Sequence, residues 1–122
     1  MSEGENTMKY MLLVYSNEGA LQAASEANRN EMMAAYGAYV EALNKAGIAS
    51  GMDRLRPSSA ATIVRNEGGK AKVLNGPYAE TKEQLGGYFI IDVPDLDAAI
   101  TWASRCPGAT YGAVEVRPVW TM

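Results

Sequence analysis

The sequence predicts one α+β domain of βαββαβ order, with a β-hairpin inserted after the second strand. Three observations carry that prediction. Two near-continuous apolar runs, residues 9–15 and 86–93, read as strands covered on both faces. A segment of helical periodicity follows each run, over residues 28–46 and again from Asp95. Between these halves, Asn66-Glu-Gly-Gly69 separates two short alternating stretches, which is a hairpin signal.

The elements follow in order. Met1 to Thr7 is polar and acidic and reads as a disordered leader, with the domain over residues 8–122. Lys9 to Tyr15 is the first strand. Ser16 to Ala24 is a polar connection with room for a loose turn. The main helix spans 28–46: Asn28 and Glu31 have capping-box spacing, Ser25 is a competing start, and Gly47 suits a left-handed stop. Met32, Ala35, Tyr36, Tyr39 and Leu43 form its stripe, widened by Met33 and Val40.

Ile48 to Arg56 is the second strand, ended by Pro57. Residues 60–65 and 70–74 form the hairpin. In Asn75 to Gly87, Pro77 makes a turn, Thr81 and Gln84 have capping-box spacing for about one helical turn, and Gly86-Gly87 stops it. Gly86 to Val93 is the next strand. Asp95 caps the second helix, whose buried face is Leu96, Ala99, Ile100 and Ala103, with Cys106-Pro107-Gly108 ending it. Residues 113–119 alternate as the last strand until Pro118 removes a donor.

Taking the hairpin as an insertion leaves the ferredoxin-like arrangement, a four-stranded antiparallel sheet with both helices on one face. Strands 9–15 and 86–93 are apolar at odd and even positions alike, so the second face needs a cover. The simplest cover is another copy, giving a homodimer with facing sheets.

Composition excludes whole classes. The 122 residues are 48% hydrophobic and 20% charged, the balance of a soluble globular protein. A net charge of -3 argues against nucleic acid or an anionic membrane as partner. No stretch approaches the roughly 18–20 apolar residues that cross a bilayer. A lone Cys106 excludes an internal disulfide and fits a reducing cytoplasm. There is no histidine at all. Histidine-based nucleophile systems and histidine-ligated metal are therefore absent, so acid-base chemistry falls to carboxylates, tyrosines or lysines.

Residues 75–87 are the first place to look for a site, because elaborate loops carry function. Glu80 and Glu83 share a face there. Each suits either a solvated turn or an acid-base carboxylate raised by burial. Tyr15, Tyr78 and Tyr88 suit core packing or a hydroxyl directed at a ligand. Glu115 and Arg117 project from one face of the last strand, as an anion site or an ion pair. Asp53, Arg54 and Arg56 either rim the same cavity or guard a strand edge. Asp92, Asp95 and Asp97 cluster around Pro94, where helix capping accounts for two of them, so no metal site is expected. The candidate set is Glu80 as catalytic carboxylate, with Asn75, Tyr78, Glu83, Tyr88 and Arg117 as ligand-binding residues. No metal or cofactor is assigned.

Four motifs in order carry a resemblance: Lys9-Tyr-Met-Leu-Leu13, the loop at 75–87, the run from Ile91 through Trp102 to Arg105-Cys-Pro107, and Val114-Glu-Val-Arg-Pro118. Over about residues 8–119 the chain resembles the YCII-related family, in its DGPF-type branch. The resemblance implies a ferredoxin-like dimeric α+β barrel, small stand-alone bacterial proteins associated with sigma-factor regulators, and in some branches a pocket built on a His-Asp pair. Here Asn75-Gly-Pro-Tyr78 stands where the branch usually has Asp-Gly-Pro-Phe. Asn75 keeps the turn hydrogen bonds but cannot take up a proton, and no histidine exists to partner it.

Three functions follow for comparison. One is a protein that binds a small molecule in a barrel pocket, with or without enzyme activity. Another is a non-catalytic regulatory module tied to a transcription system. The third is a monooxygenase of the kind this fold also hosts, for which the missing histidine removes the obvious heme ligand.

Overall fold

A computed structural model describes residues 6–120. The leader expected over residues 1–7 lies largely outside them. The elements are β1 (Met8–Ser16), α1 (Glu18–Ala23), α2 (Glu26–Ala46), β2 (Ala49–Arg54), β3 (Thr62–Glu67), β4 (Lys70–Asn75), β5 (Gln84–Val93), α3 (Leu96–Arg105), α4 (Gly108–Tyr111) and β6 (Ala113–Pro118). Four strands form an antiparallel sheet in the order β2-β5-β1-β6, while β3 and β4 pair only with each other. With β3–β4 set aside, this is the ferredoxin-like order that the sequence predicts.

Alternation decides which side chains meet the helices. Tyr10, Leu12 and Val14 of β1 and Phe89, Ile91 and Val93 of β5 share one face and are buried. They pack with Tyr39 and Leu43 of α2 and Ala99 and Ala103 of α3. Tyr39 stands edge-on to Phe89, with centroids 5.3 Å apart, and donates its hydroxyl to the Trp102 carbonyl at 2.8 Å. Both helices therefore cover the same face of the sheet.

Several boundaries move for definable reasons. The main helix starts at Glu26, because Ser25 rather than Asn28 is its cap: Ser25 Oγ accepts from the Asn28 N–H at 3.1 Å. Its stop at Gly47 is left-handed as expected, with φ 69°. Only the C-terminal half of its stripe packs, and Met33 is exposed. The connection 16–24 contains a true helix, α1, capped by Asn17.

In α3 the helix turns its small residues inward. Ala99 and Ala103 are buried, while Leu96 and Ile100 are about half exposed. The Asp95 cap is as expected. Past Cys106 the chain adds α4. A side chain at Gly108 would come within 2.4 Å of Val14 Cγ1, so that approach needs glycine.

The helical turn expected at Thr81–Gln84 does not form, and the two glycines do not stop anything. Gln84 opens β5, and Gly86-Gly87 lie inside it. A tertiary contact takes Gln84 from the capping box: its Oε1 accepts from the Glu18 N–H at 3.0 Å. The Glu18 carboxylate in turn accepts from both the N–H and the hydroxyl of Ser58. Gly86 is the extra residue of a bulge, since Val14 faces Gly87 while Tyr15 faces Leu85. The hairpin turns on Gly68-Gly69, both at positive φ, the geometry of a two-residue type I′ loop.

Candidate helix-free sheet site

The sheet face away from the helices carries the polar chemistry. Strand register assigns its rows. One row runs straight across all four strands as Asp53, Tyr88, Leu13 and Glu115. The next is Gly51, Ile90, Met11 and Arg117. Tyr15 stands on the same face one step beyond Leu13, opposite Ala113. Met11, Leu13 and Ile90 thus make an apolar floor between two acidic margins.

At each margin a tyrosine hydroxyl donates to a carboxylate. Tyr88 donates to Asp53, and Tyr15 donates to Glu115 at 3.1 Å. Both phenols are pushed above their ordinary value, Tyr88 first by its bond to Asp53, Tyr15 first by burial and then by Glu115. The Arg117 guanidinium acts on Tyr15 in the opposite sense. Each phenol stays neutral at ordinary pH, with its proton committed to a carboxylate and its oxygen lone pairs free to accept from a ligand.

Gly87 makes the Asp53 margin possible. A Cβ there would sit 2.8 Å from the Asp53 carbonyl oxygen, so glycine lets β2 lie close and keeps Asp53 beside Tyr88.

The predicted residues divide into two groups. Tyr88 and Arg117 lie on this face. Asn75 ends β4 opposite Thr62 and is exposed. Tyr78 is exposed with its ring under the Arg65 guanidinium, 5.2 Å away. Glu80 and Glu83 are exposed on the segment leading into β5. Tyr15, Asp53 and Glu115 complete the face but are absent from the predicted ligand-binding set. Their grouping depends on register across non-consecutive strands, which no local pattern encodes. Glu115 is engaged by Tyr15, and no ion pair joins it to Arg117 among the described residues.

Other features carry less. Asp92 pairs with Lys9 at 3.1 Å and Asp95 caps α3, so two of the three clustered aspartates already have partners. No group of three metal-ligating side chains occurs among the described residues. Cys106 is buried and its thiol is pushed up by that burial, which makes it unreactive. A hollow of about 320 Å³ on the helix side is lined by Leu21, Asn28, Glu31, Met32 and Tyr111, and Asn17 within it is spent on capping α1. The sheet face gathers more converging polar groups than this hollow and is the better candidate.

A ferredoxin-like α+β domain with a polar-edged, helix-free sheet face is the class this architecture defines. The family model of the YCII-related domain matches residues 8–122, and the chain belongs to the YCII-related family. It is 36% identical over 114 residues to an uncharacterized protein of Rhizobium meliloti (strain 1021), covering 92% of each chain. Among solved structures it is similar to the 5-chloro-2-hydroxyhydroquinone dehydrochlorinase TftG from Burkholderia phenoliruptrix AC1100, in complex with 2,5-dihydroxybenzoquinone. There the TM-score is 0.56 at 17% identity, covering 93% of this chain and 94% of the other. That likeness is one of fold. Among the described residues no helix is long and apolar enough to cross a membrane.

Proposed function

We propose that the protein binds a small hydroxylated organic molecule on the helix-free face, with a second copy closing over it to complete a dimeric α+β barrel. The row Asp53–Tyr88–Leu13–Glu115 carries this reading. With Tyr15 one step beyond it, the row sets carboxylate-backed hydroxyls on either side of an apolar floor, which suits a flat ring bearing hydroxyl groups. The hydroxyquinone bound to TftG is a ligand of that kind. Arg117 is placed to hold an ionised hydroxyl or carboxylate.

The loop bearing Asn75, Tyr78, Glu80 and Glu83 enters β5 four residues before Tyr88 and forms the mouth of the closed site, with Glu80 as its acid-base group. Proton transfer at a ligand hydroxyl is the chemistry this set can perform without metal or histidine. The likeness of the Asn75-Gly-Pro-Tyr78 turn to Asp-Gly-Pro-Phe supports a place in the DGPF-type branch, whose members are small bacterial proteins, and the lone Cys106 fits a reducing cytoplasm.

A panel of dihydroxybenzenes, hydroxyquinones and hydroxybenzoates tests this by thermal shift. Ligand at about 100 times its Kd adds roughly 2.7 kcal/mol, a rise of several degrees in Tm. Tyr88→Phe and Arg117→Gln should each weaken binding about tenfold or more, the loss of one hydrogen bond to a charged group. Glu80→Gln should keep binding and slow any turnover. No shift of the unmodified protein with any member of the panel would sink the proposal.

A further inference from the structure

Among the described residues, neither strand of the β3–β4 hairpin pairs with a third strand, and Arg65 stands over the Tyr78 ring. Its register spans six residue pairs, from Thr62 with Asn75 to Glu67 with Lys70. Alternation sorts its side chains. One face carries every charge of the hairpin, Arg65, Glu67, Lys70 and Lys72, beside the paired Ile63 and Leu74. The other carries Thr62, Val64, Asn66, Ala71, Val73 and Asn75 and no charge at all. Val64 and Val73 are directly paired on that uncharged face, yet they are 60% and 61% exposed.

An isolated two-stranded ribbon is marginally stable in water and needs a covered face. Neither hairpin strand pairs with the four-stranded sheet. At the base the two legs are joined once more, by the Gly76 N–H to the Ala61 carbonyl at 2.7 Å, and the segment just before the hairpin is tied to the body by the Ser58–Glu18 contact.

The geometry points to the uncharged face of this arm lying against a second copy of the chain, each copy clasping the other about a two-fold axis. This rests on the reading that the helix-free faces meet. Area is the first reason for naming a second copy. Four strands about 4.8 Å apart and about six residues long give a face of roughly 400 Å² in plan. One arm face adds roughly 200 Å² in plan, and the strip under the partner's arm about as much again, so the clasp about doubles the plan area of the contact.

Charge is the second reason. Arg65, Lys70 and Lys72 against Glu67 make the arm +2, so the rest of a -3 chain is -5. These charges stand on the face turned from the partner, so they act at range, steering the arm of one copy toward the acidic body of another. A clasp related by two-fold symmetry is self-complementary and closes at two copies.

Sedimentation equilibrium on the full chain tests the clasp. The unmodified protein should be a dimer at micromolar concentration. Val64→Asp with Val73→Asp should weaken the dimer at least a hundredfold while leaving the circular dichroism of the monomer unchanged. Should that pair fail to fold, Val64→Thr with Val73→Thr keeps shape and β-branching, and at least a tenfold weakening is expected. Arm variants that dimerise as tightly as the unmodified protein overturn the clasp and leave sheet-face closure standing. Leu13→Asp at the centre of the face separates the two: an unchanged dimer there overturns face closure, whatever the arm variants do. A monomeric unmodified protein overturns both.

Discussion

Gly86 and Gly87 are adjacent in one strand, and replacing each by alanine should give opposite results. At Gly87 a Cβ would lie 2.8 Å from the Asp53 carbonyl oxygen and 3.5 Å from Arg54 Cα, both fixed backbone atoms. Ordinary contact begins at 3.4 Å, so β2 must retreat by about 0.6 Å. Overpacking of this kind costs about 1–3 kcal/mol. In a domain of this size each kcal/mol is worth about 3–5 °C, so Gly87→Ala should lower Tm by roughly 3–15 °C.

At Gly86 the nearest atom to a new Cβ is 3.9 Å away, and its φ is not positive. Gly86→Ala should stay within about 2 °C of the unmodified protein or gain slightly from a stiffer unfolded chain. A second readout ties the strain to the site. As β2 retreats, Asp53 loosens its hold on Tyr88, and the Tyr88 phenol should titrate at lower pH in Gly87→Ala, seen as tyrosinate absorbance and assigned with Tyr88→Phe. Equal melting of the two alanine variants would refute the account of close strand approach.

Two further outcomes concern stability. The Tyr36 and Tyr39 phenols are raised above 10.0, chiefly by burial, so the folded state holds those protons longer than the unfolded one. Their contribution is complete below pH 10 and is lost as pH rises beyond it. Tm should therefore hold below that pH and fall above it, and Tyr39→Phe should flatten the fall while costing about 1 kcal/mol at neutral pH through loss of its bond to Trp102. Ser25→Ala should cost about 1 kcal/mol in chemical denaturation, whereas Asn28→Ala should cost a few tenths at most, because Ser25 is the cap of α2.

What the sequence made legible is whatever depends on neighbours along the chain. The two apolar strands, the hairpin at Gly68-Gly69, the Asp95 cap and the Gly47 stop all rest on local periodicity or turn chemistry. The errors arise where a distant group intervenes. Thr81 and Gln84 have capping-box spacing, but Gln84 is claimed by the backbone of Glu18. Gly86-Gly87 resembles a helix stop, yet one glycine makes a bulge and the other admits β2. The stripe of α3 was legible as amphipathic, but which side faces the sheet was settled by the small size of Ala99 and Ala103. At the site, Tyr88 and Arg117 were legible as polar groups on strands. Glu115 beside Arg117 followed from alternation on one strand, but their assembly with Tyr15, Tyr88 and Asp53 did not, because it depends on the lateral order β2-β5-β1-β6.

That lateral order has a consequence for residues 55–83. They join β2 to β5, which are already adjacent and antiparallel, so the whole stretch is topologically one long turn between neighbouring strands. A short turn would join the same strands. Loop-closure entropy rises only slowly with length, by about 0.6 kcal/mol per doubling, so chain can be added or removed here without disturbing the register of the sheet. The domain's closure places almost no constraint on the size of this insertion. Its length and amphipathic pattern are therefore free to answer to what the molecule meets outside itself.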